Sequence, residues 1–234
     1  MKHIGIVGCS AEGAALCYRT ICVEGEHYLG KHGHPEVSLH THPLQLYMQP
    51  IDRGDWQGVA DLMLDSARKL AMAGAEFLIC PDNTIHQALP IVRPQSPLPW
   101  LHIAAVVAEE AVSKGYKRLA LTGTKYLVES QVYPEKLADQ GLEFRRPTEA
   151  ERTEINRIIF DELVRARLLP QSRDYFVQVI TRLAKEEHCD AVILGCTEIP
   201  LIVTPEISPI PTLDSTRLLA RTALRHALEE ADAG

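Results

Sequence analysis

The apolar residues of this chain fall into short continuous runs, which alternate with longer segments where apolar residues recur every three or four positions. Short apolar runs are typical of buried strands, and the longer amphipathic pattern is typical of helices. The runs FLIC and AVILG are apolar on both faces, as parallel strands are when helices cover both sides of a sheet. The pattern predicts strands near residues 3–8, 36–42, 77–80, 99–102, 118–123, 142–146, 191–195 and 209–212.

Strands and helices alternate along the chain, which predicts an α/β protein with doubly wound parallel sheets. The segment 89–100 contains four prolines, so we expect it to be non-helical and to form a hinge between two lobes. The expected first lobe joins residues 1–97 to residues 208–234, and residues 98–207 form the second lobe. Helices are predicted near residues 12–28, 55–74, 103–114, 126–139, 148–167, 172–188 and 214–231.

Composition and charge narrow the classes of partner. The chain has 234 residues and a formal net charge of −7 without a basic block, so nucleic acid is not an expected partner. No apolar run approaches the roughly 20 residues of a membrane span, and the segment MKHIGIVGCS has too short an apolar stretch for a secretory signal. We therefore expect a cytoplasmic protein with reduced thiols. Its six cysteines include no C-x-x-C pair, which argues against a zinc or redox motif.

Two predicted strands end in similar polar clusters. FLIC is followed by PDNTIH, which places Asp82 where the apolar run ends, and AVILG is followed by CTEIP, which places Cys196 at the matching point. Ligands of open parallel sheets bind beyond the carboxyl ends of the strands. Two lobes that each present one such end to a shared cleft would bring both clusters to one site.

Each candidate residue also has a purely structural interpretation. Asp82 could be a turn residue or a helix cap, and Cys196 could be a core thiol, although a thiol at the start of a helix lies near amide dipoles that favour the thiolate. Cys80 is not expected to be a base.

The segment GIVGCSAEG lacks the G-x-G-x-x-G spacing, so a small anion is a better ligand for it than a nucleotide. No metal site is expected at histidines 27, 32, 34, 40 and 42, because most of them lie in a polar loop without helical i, i+4 pairing.

Five segments in chain order carry a resemblance to a known family. They are HIGIVGCSAEG, DNTIH, LTGTKY, INRIIFDEL and GCTEIPLIV. Together they resemble the aspartate/glutamate racemase family, especially its aspartate racemase branch. Members of that family look like two pseudo-symmetric α/β lobes with an active-site cleft between them. The resemblance implies an amino-acid racemase that acts on aspartate or glutamate, uses no cofactor or metal and forms a homodimer.

The resemblance also implies roles for individual residues. In the family, one cysteine from each lobe flanks the substrate α-carbon, and one thiolate removes the α-proton while the opposite thiol returns a proton. Cys196 matches the second-lobe cysteine, whereas Asp82 stands where the first-lobe cysteine is expected. The positions that match substrate-binding residues are Ser10, Asn83, Thr84, Thr124, Arg167, Thr197 and Glu198.

An aspartate at position 82 leaves three outcomes open. Burial beside a substrate carboxylate would raise the pKa of Asp82 towards neutrality, and Asp82 and Cys196 could then racemise the substrate with a preference for one enantiomer. Alternatively, Cys196 works alone in a decarboxylase or a cis–trans isomerase of a dicarboxylic acid. In the third case the site only binds a small molecule. The ligand of a substrate side-chain carboxylate stays open among His42, Gln45, Arg53 and Arg167.

Overall fold

The chain folds into two compact α/β units. The structure is a computed structural model that describes residues 1–229. The first unit comprises Met1–Ile103 and the C-terminal segment that begins at Thr216, and the second unit comprises Ala104–Ser215. Among the described residues, no helix has the length and apolar character needed to cross a membrane.

A three-stranded parallel sheet forms the centre of the first unit. Its strands are β1 (Ile4–Gly8), β2 (Val37–Thr41) and β3 (Phe77–Ile79), in the order β2-β1-β3. Trp100 adds a single parallel bridge to Leu78 on the other side of β3. All residues of β1 are buried, as expected for a central strand. The helices in the N-terminal segment of this unit are α1 (Ala11–Leu29), α2 (Leu44–Arg53), α3 (Trp56–Met72) and α4 (Leu89–Val92).

The second unit is built on a four-stranded parallel sheet. Its strands are β4 (Arg118–Thr122), β5 (Glu143–Arg145), β6 (Ala191–Leu194) and β7 (Thr212–Asp214), in the order β5-β4-β6-β7. The strand β6 is buried along its whole length, and two of its side chains join a core with helical residues such as Phe176. The helices that follow are α5 (Ile103–Ser113), α6 (Lys125–Val128), α7 (Val132–Asp139), α8 (Glu149–Asp161) and α9 (Pro170–Glu186). The last helix, α10 (Ser215–Leu228), belongs to the first unit from Thr216 onwards. These sheets confirm the predicted α/β class.

Both sheets arrange their strands in the same way. In each unit the first strand lies between the second and the third strand. Pairing between the third strand and the central strand begins at Phe77 in the first unit and at Ala191 in the second unit. Asp82 lies five residues after Phe77, and Cys196 lies five residues after Ala191. The two candidate residues therefore occupy equivalent positions beyond the third strand of their sheets.

In both units the helix that follows the central strand starts with a hydroxyl cap. The Ser10 Oγ accepts a hydrogen bond from the N–H of Gly13 at 3.2 Å, and the Thr124 Oγ1 accepts one from the N–H of Leu127 at 3.3 Å. Such caps satisfy amide groups that have no partner within the helix. Ser10 and Thr124 thus have a structural role in addition to the binding role that the sequence predicts.

Several elements differ from the prediction. Residues 99–102 contribute the bridge of Trp100 and no strand, and the strand expected at 209–212 lies a few residues later at β7. The helix expected at 126–139 is divided into α6 and α7. The cause is Ser130, whose hydroxyl donates to the Leu127 carbonyl at 2.7 Å and accepts from the Val132 N–H at 3.3 Å. A serine that bonds the backbone in this way interrupts the helical pattern.

The prediction that segment 89–100 is non-helical is wrong, because Leu89–Val92 forms one helical turn. Pro90 lies in the first turn of that helix, where an N–H is not needed. The helix α2 was not predicted, and it contains Pro50 within its span. The helix expected at 148–167 ends at Asp161, and Ala166 adopts a left-handed φ of 55°. The end of the last predicted helix, residues 230–231, lies outside the described residues.

Candidate active site

Asp82 lies in the turn between β3 and a short 3-10 helix, Thr84–Ala88. Its side chain is half-buried, and Oδ1 accepts a hydrogen bond from the backbone N–H of Ile85 at 3.2 Å. This contact caps the short helix and holds the carboxyl group beyond the end of the sheet. The capping role that the sequence allows is therefore present in the structure.

His86 fixes the turn that carries Asp82, and the sequence analysis did not recognise this role. The Nε2 of His86 accepts a hydrogen bond from the N–H of Ile103 at 3.2 Å, and Nδ1 lies 2.7 Å from the backbone carbonyl oxygen of Asp82. Because a backbone N–H can only donate, the proton of the neutral ring is on Nδ1, which donates to that carbonyl. Burial, with a smaller contribution from Arg93, lowers the pKa of His86 to about 4. His86 thus joins Asp82 to the start of α5 as a neutral side chain.

Acid should destabilise the protein through His86. Between pH 6.5 and about 4, the unfolded chain binds a proton at this residue that the folded chain does not bind. Stability is therefore lost as the pH falls through this window, by at most about 1.4 kcal/mol per pH unit from this group. Urea titrations at several pH values will show a shallower dependence for His86→Gln than for the unaltered protein. Parallel curves for the two proteins between pH 6.5 and 4 would contradict this account.

The other residues of the Asp82 turn differ in exposure. Asn83 is buried, and Thr84 is half-buried. Cys80 is fully buried and its Sγ donates to the Asp82 carbonyl oxygen at 3.7 Å. Burial raises the pKa of the Cys80 thiol well above its usual value, and the negative charge of Asp82 adds to this effect. These properties are those of a core thiol, which supports the expectation that Cys80 is not a base.

Cys196 lies in the turn after β6 with 9% of its surface exposed. Its Sγ donates to the Oε2 of Glu198 at 2.9 Å, and the hydroxyl of Thr197 donates to the same oxygen at 2.7 Å. Thr197 and Glu198 are themselves buried. Two donors on one carboxyl oxygen replace the hydrogen bonds to water that this buried group lacks. The thiol proton of Cys196 is therefore held by an acceptor within the chain.

The setting of Cys196 differs from the helix start proposed from the sequence. The turn is followed only by a 3-10 helix of three residues, Ile199–Leu201, which is too short to exert a substantial helix dipole. Packing explains why a glycine precedes Cys196, because a Cβ on Gly195 would lie only 2.6 Å from the carbonyl oxygen of Thr122. The N–H of Gly195 donates to the same oxygen at 3.0 Å. This close approach to β4 sets the position at which the Cys196 turn begins.

The four candidates for binding a substrate side-chain carboxylate lie in different settings. Gln45, Arg53 and Arg167 are exposed. His42 is half-buried, and its Nε2 lies 2.8 Å from the Oδ2 of Asp65. His42 thus faces a carboxylate of the chain itself.

The fold and the strand-end residues define an α/β protein of two similarly arranged units, in which each unit presents a proton-carrying side chain beyond its third strand. The model of the Asp/Glu/hydantoin racemase family matches residues 6–223. The chain belongs to this family and is an isomerase of the racemase class.

Individual relatives agree with this assignment. A Yersinia pestis protein assigned to the Asp/Glu racemases is 32% identical, with a TM-score of 0.89 over 97% of this chain and 100% of the other. PH1733 of Pyrococcus horikoshii OT3, an aspartate racemase homologue, is 29% identical, with a TM-score of 0.85 over 97% and 100%. The broad specificity amino-acid racemase RacX of Bacillus subtilis (strain 168) is 24% identical over 194 residues, which is 82% of this chain and 81% of RacX. The family resemblance predicted from the sequence is confirmed.

Proposed function

We propose that this chain racemises a small acidic amino acid, aspartate or glutamate, without a cofactor, and that Asp82 and Cys196 are the two acid–base groups. A racemase that exchanges the α-proton needs one proton-carrying group for each face of the α-carbon. The observation that carries the proposal is the equivalence of the two positions, each five residues after the first paired residue of the third strand. The proposal assigns one face of the substrate to Asp82 and the other face to Cys196.

Carboxylic acids are intrinsically much stronger acids than thiols, so the proposed cycle starts from a carboxylate at Asp82 and a thiol at Cys196, whose Sγ donates to Glu198. In this form Asp82 removes the α-proton of one enantiomer, and Cys196 delivers its proton to the opposite face. After this proton exchange, Asp82 is protonated and Cys196 is a thiolate. This second form of the enzyme converts the other enantiomer. The pair therefore predicts different rates for the two enantiomers.

The negative charge that develops on the substrate has to be stabilised by hydrogen-bond donors, since no cofactor accepts it. Hydroxyl and amide side chains lie directly after both acid–base groups and at the caps of the helices that follow the central strands. We assign binding of the substrate α-carboxylate and amine to Ser10, Asn83, Thr84, Thr124 and Thr197. Glu198, which the sequence placed among the substrate ligands, acts in this proposal through the thiol of Cys196.

The substrate class has support from the relatives. PH1733 is an aspartate racemase homologue, which favours aspartate. RacX is named a broad specificity racemase, so the side chain that is accepted has to be tested over several amino acids. Arg53 and Arg167 are exposed cations and stay candidates for binding a side-chain carboxylate.

Incubation with L- and D-aspartate in deuterium oxide tests the proposal. We expect loss of the α-proton signal in nuclear magnetic resonance spectra, together with formation of the opposite enantiomer on a chiral column. A panel with glutamate and neutral amino acids will define the substrate range.

Carbon dioxide release from a substituted malonate, or loss of maleate absorbance, would instead identify a one-cysteine decarboxylase or cis–trans isomerase. Ligand-dependent thermal stabilisation without exchange of any amino acid would identify a binding protein. Light scattering tests the expected homodimer.

A further inference from the structure

Two histidines at the end of β2 and one aspartate of α3 form a cluster outside the proposed acid–base groups. The ligand atoms of His40, His42 and Asp65 all lie within 4.8 Å of one another, and all three residues are half-buried. Two imidazoles and a carboxylate are a common ligand set for divalent transition metals, with a remaining position for water. We propose that His40, His42 and Asp65 bind a divalent transition-metal ion, for which Zn²⁺ is the best match.

The ring of His40 is oriented as a metal ligand. Its Nδ1 lies 2.9 Å from the Oγ of Ser66, and the hydroxyl of Ser66 donates to the Leu62 carbonyl oxygen at 3.1 Å. The hydroxyl proton is used in that second bond, so Nδ1–H of His40 donates to Ser66 and the lone pair is on Nε2. A hydrogen bond on the other ring nitrogen is the arrangement that fixes metal-binding histidines in proteins.

The contact between His42 and Asp65 also fits two neighbouring ligands of one ion. The Nε2 of His42 is buried and lies 2.8 Å from the Oδ2 of Asp65. In a tetrahedral zinc site with bonds of 2.0–2.1 Å, ligand atoms are about 3.3 Å apart. Binding of an ion would therefore require these two atoms to move about 0.5 Å apart, and each atom would exchange their mutual contact for a bond to the ion.

Lys69 is the group that competes with an ion at this site. Its Nζ lies 2.6 Å from the same Oδ2 of Asp65, one helical turn along α3, and its side chain is 43% exposed. A bound cation would replace this contact, and the exposed lysine can move into water. Removal of the lysine charge should therefore strengthen metal binding, because it removes both the competing ion pair and a repulsive charge.

An ion bound by His40, His42 and Asp65 would link the end of β2 to α3. The strand β2 is an edge of the first sheet and pairs only with β1 among the described strands. An ion that binds the folded chain and not the unfolded chain raises stability as its concentration increases. The expected result is a melting temperature that rises with added Zn²⁺, and this result does not depend on racemase activity.

Isothermal titration calorimetry with Zn²⁺ on the full chain tests the site, with Co²⁺ as a spectroscopic probe for tetrahedral nitrogen and oxygen ligands. We expect one ion per chain. His40→Ala and Asp65→Asn should each weaken binding more than about 100-fold, and Ser66→Ala should weaken it about 10–100-fold. Lys69→Gln should bind more tightly. His32→Ala, which removes a surface histidine paired with Glu26 at 3.5 Å, is the matched control and should bind as the unaltered protein does.

Three results would overturn the proposal. The first is that Zn²⁺ does not bind at one ion per chain, and the second is that His40→Ala and Asp65→Asn bind Zn²⁺ with unchanged affinity. The third is loss of Zn²⁺ binding in Cys196→Ser, which would assign the ion to that thiol. From the sequence, no metal site was expected at His40 and His42. Asp65, the third ligand of the proposed site, lies 23 residues after His42 and belongs to another element.

Discussion

Replacement of Cys196 by serine will lower the rate at which the enantiomers of the substrate interconvert by about 10²–10⁴-fold, the range that one acid–base group contributes. A serine hydroxyl can still donate to the Oε2 of Glu198, so the buried carboxylate keeps both of its donors and the fold is preserved. The hydroxyl is a far weaker acid than the thiol, so it cannot exchange a proton with the α-carbon at a useful rate. Chiral chromatography measures the rate, and circular dichroism checks the fold.

Cys189 provides the matched control for this variant. It is a second buried cysteine of the same unit, and burial raises the pKa of its thiol to about 11. Cys189→Ala should lose about 1 kcal/mol of stability and keep its activity. Wild-type activity in Cys196→Ser, or loss of activity in Cys189→Ala with an intact fold, would show that Cys196 is not the acid–base group of the second unit.

Asp82→Asn will reduce racemisation by a comparable factor, about 10²–10⁴-fold, without a large effect on stability. The asparagine Oδ1 can still accept the hydrogen bond from Ile85, so the cap is kept while the acid–base group is removed. Cys196 can then remove and return a proton on its own face only. We expect one enantiomer of aspartate to incorporate deuterium in deuterium oxide and to keep its configuration.

Two further variants separate the capping role of Asp82 from its proposed chemistry. Asp82→Ala removes both and should additionally lower the free energy of unfolding by about 1 kcal/mol. Asp82→Cys places a thiol where the racemase resemblance expects one, so it should restore inversion. Racemisation by Asp82→Asn at the wild-type rate would mean that Asp82 only caps the short helix.

Local sequence was a good guide where neighbouring residues decide the structure. The buried strands β1, β3, β4 and β6 were predicted within one or two residues, because continuous apolar runs need cover on both faces. The helix α2 was missed, because Pro50 within its span argues against a helix. The break at Ser130 was missed as well, because its side chain competes for backbone groups only in the folded turn.

The sequence also predicted the positions of Asp82, Cys196 and their polar neighbours at the strand ends, but not their contacts. The capping bond from Asp82 to Ile85 was one of two local alternatives that the turn composition allowed. The contact between the thiol of Cys196 and Glu198 was not anticipated, since the spacing of two residues alone does not fix how two side chains turn towards each other.

The sequence by itself determined the α/β class and the strand ends that carry Asp82 and Cys196, because periodicity and short polar clusters are properties of residues close together in the chain. The racemase family was indicated by the resemblance of five segments, which the family model confirms. The tertiary structure decided the neutral link from His86 to Ile103 and the grouping of His40 and His42 with Asp65. Those arrangements join residues from separate elements, and only the packing of helices against sheets brings them within bonding distance.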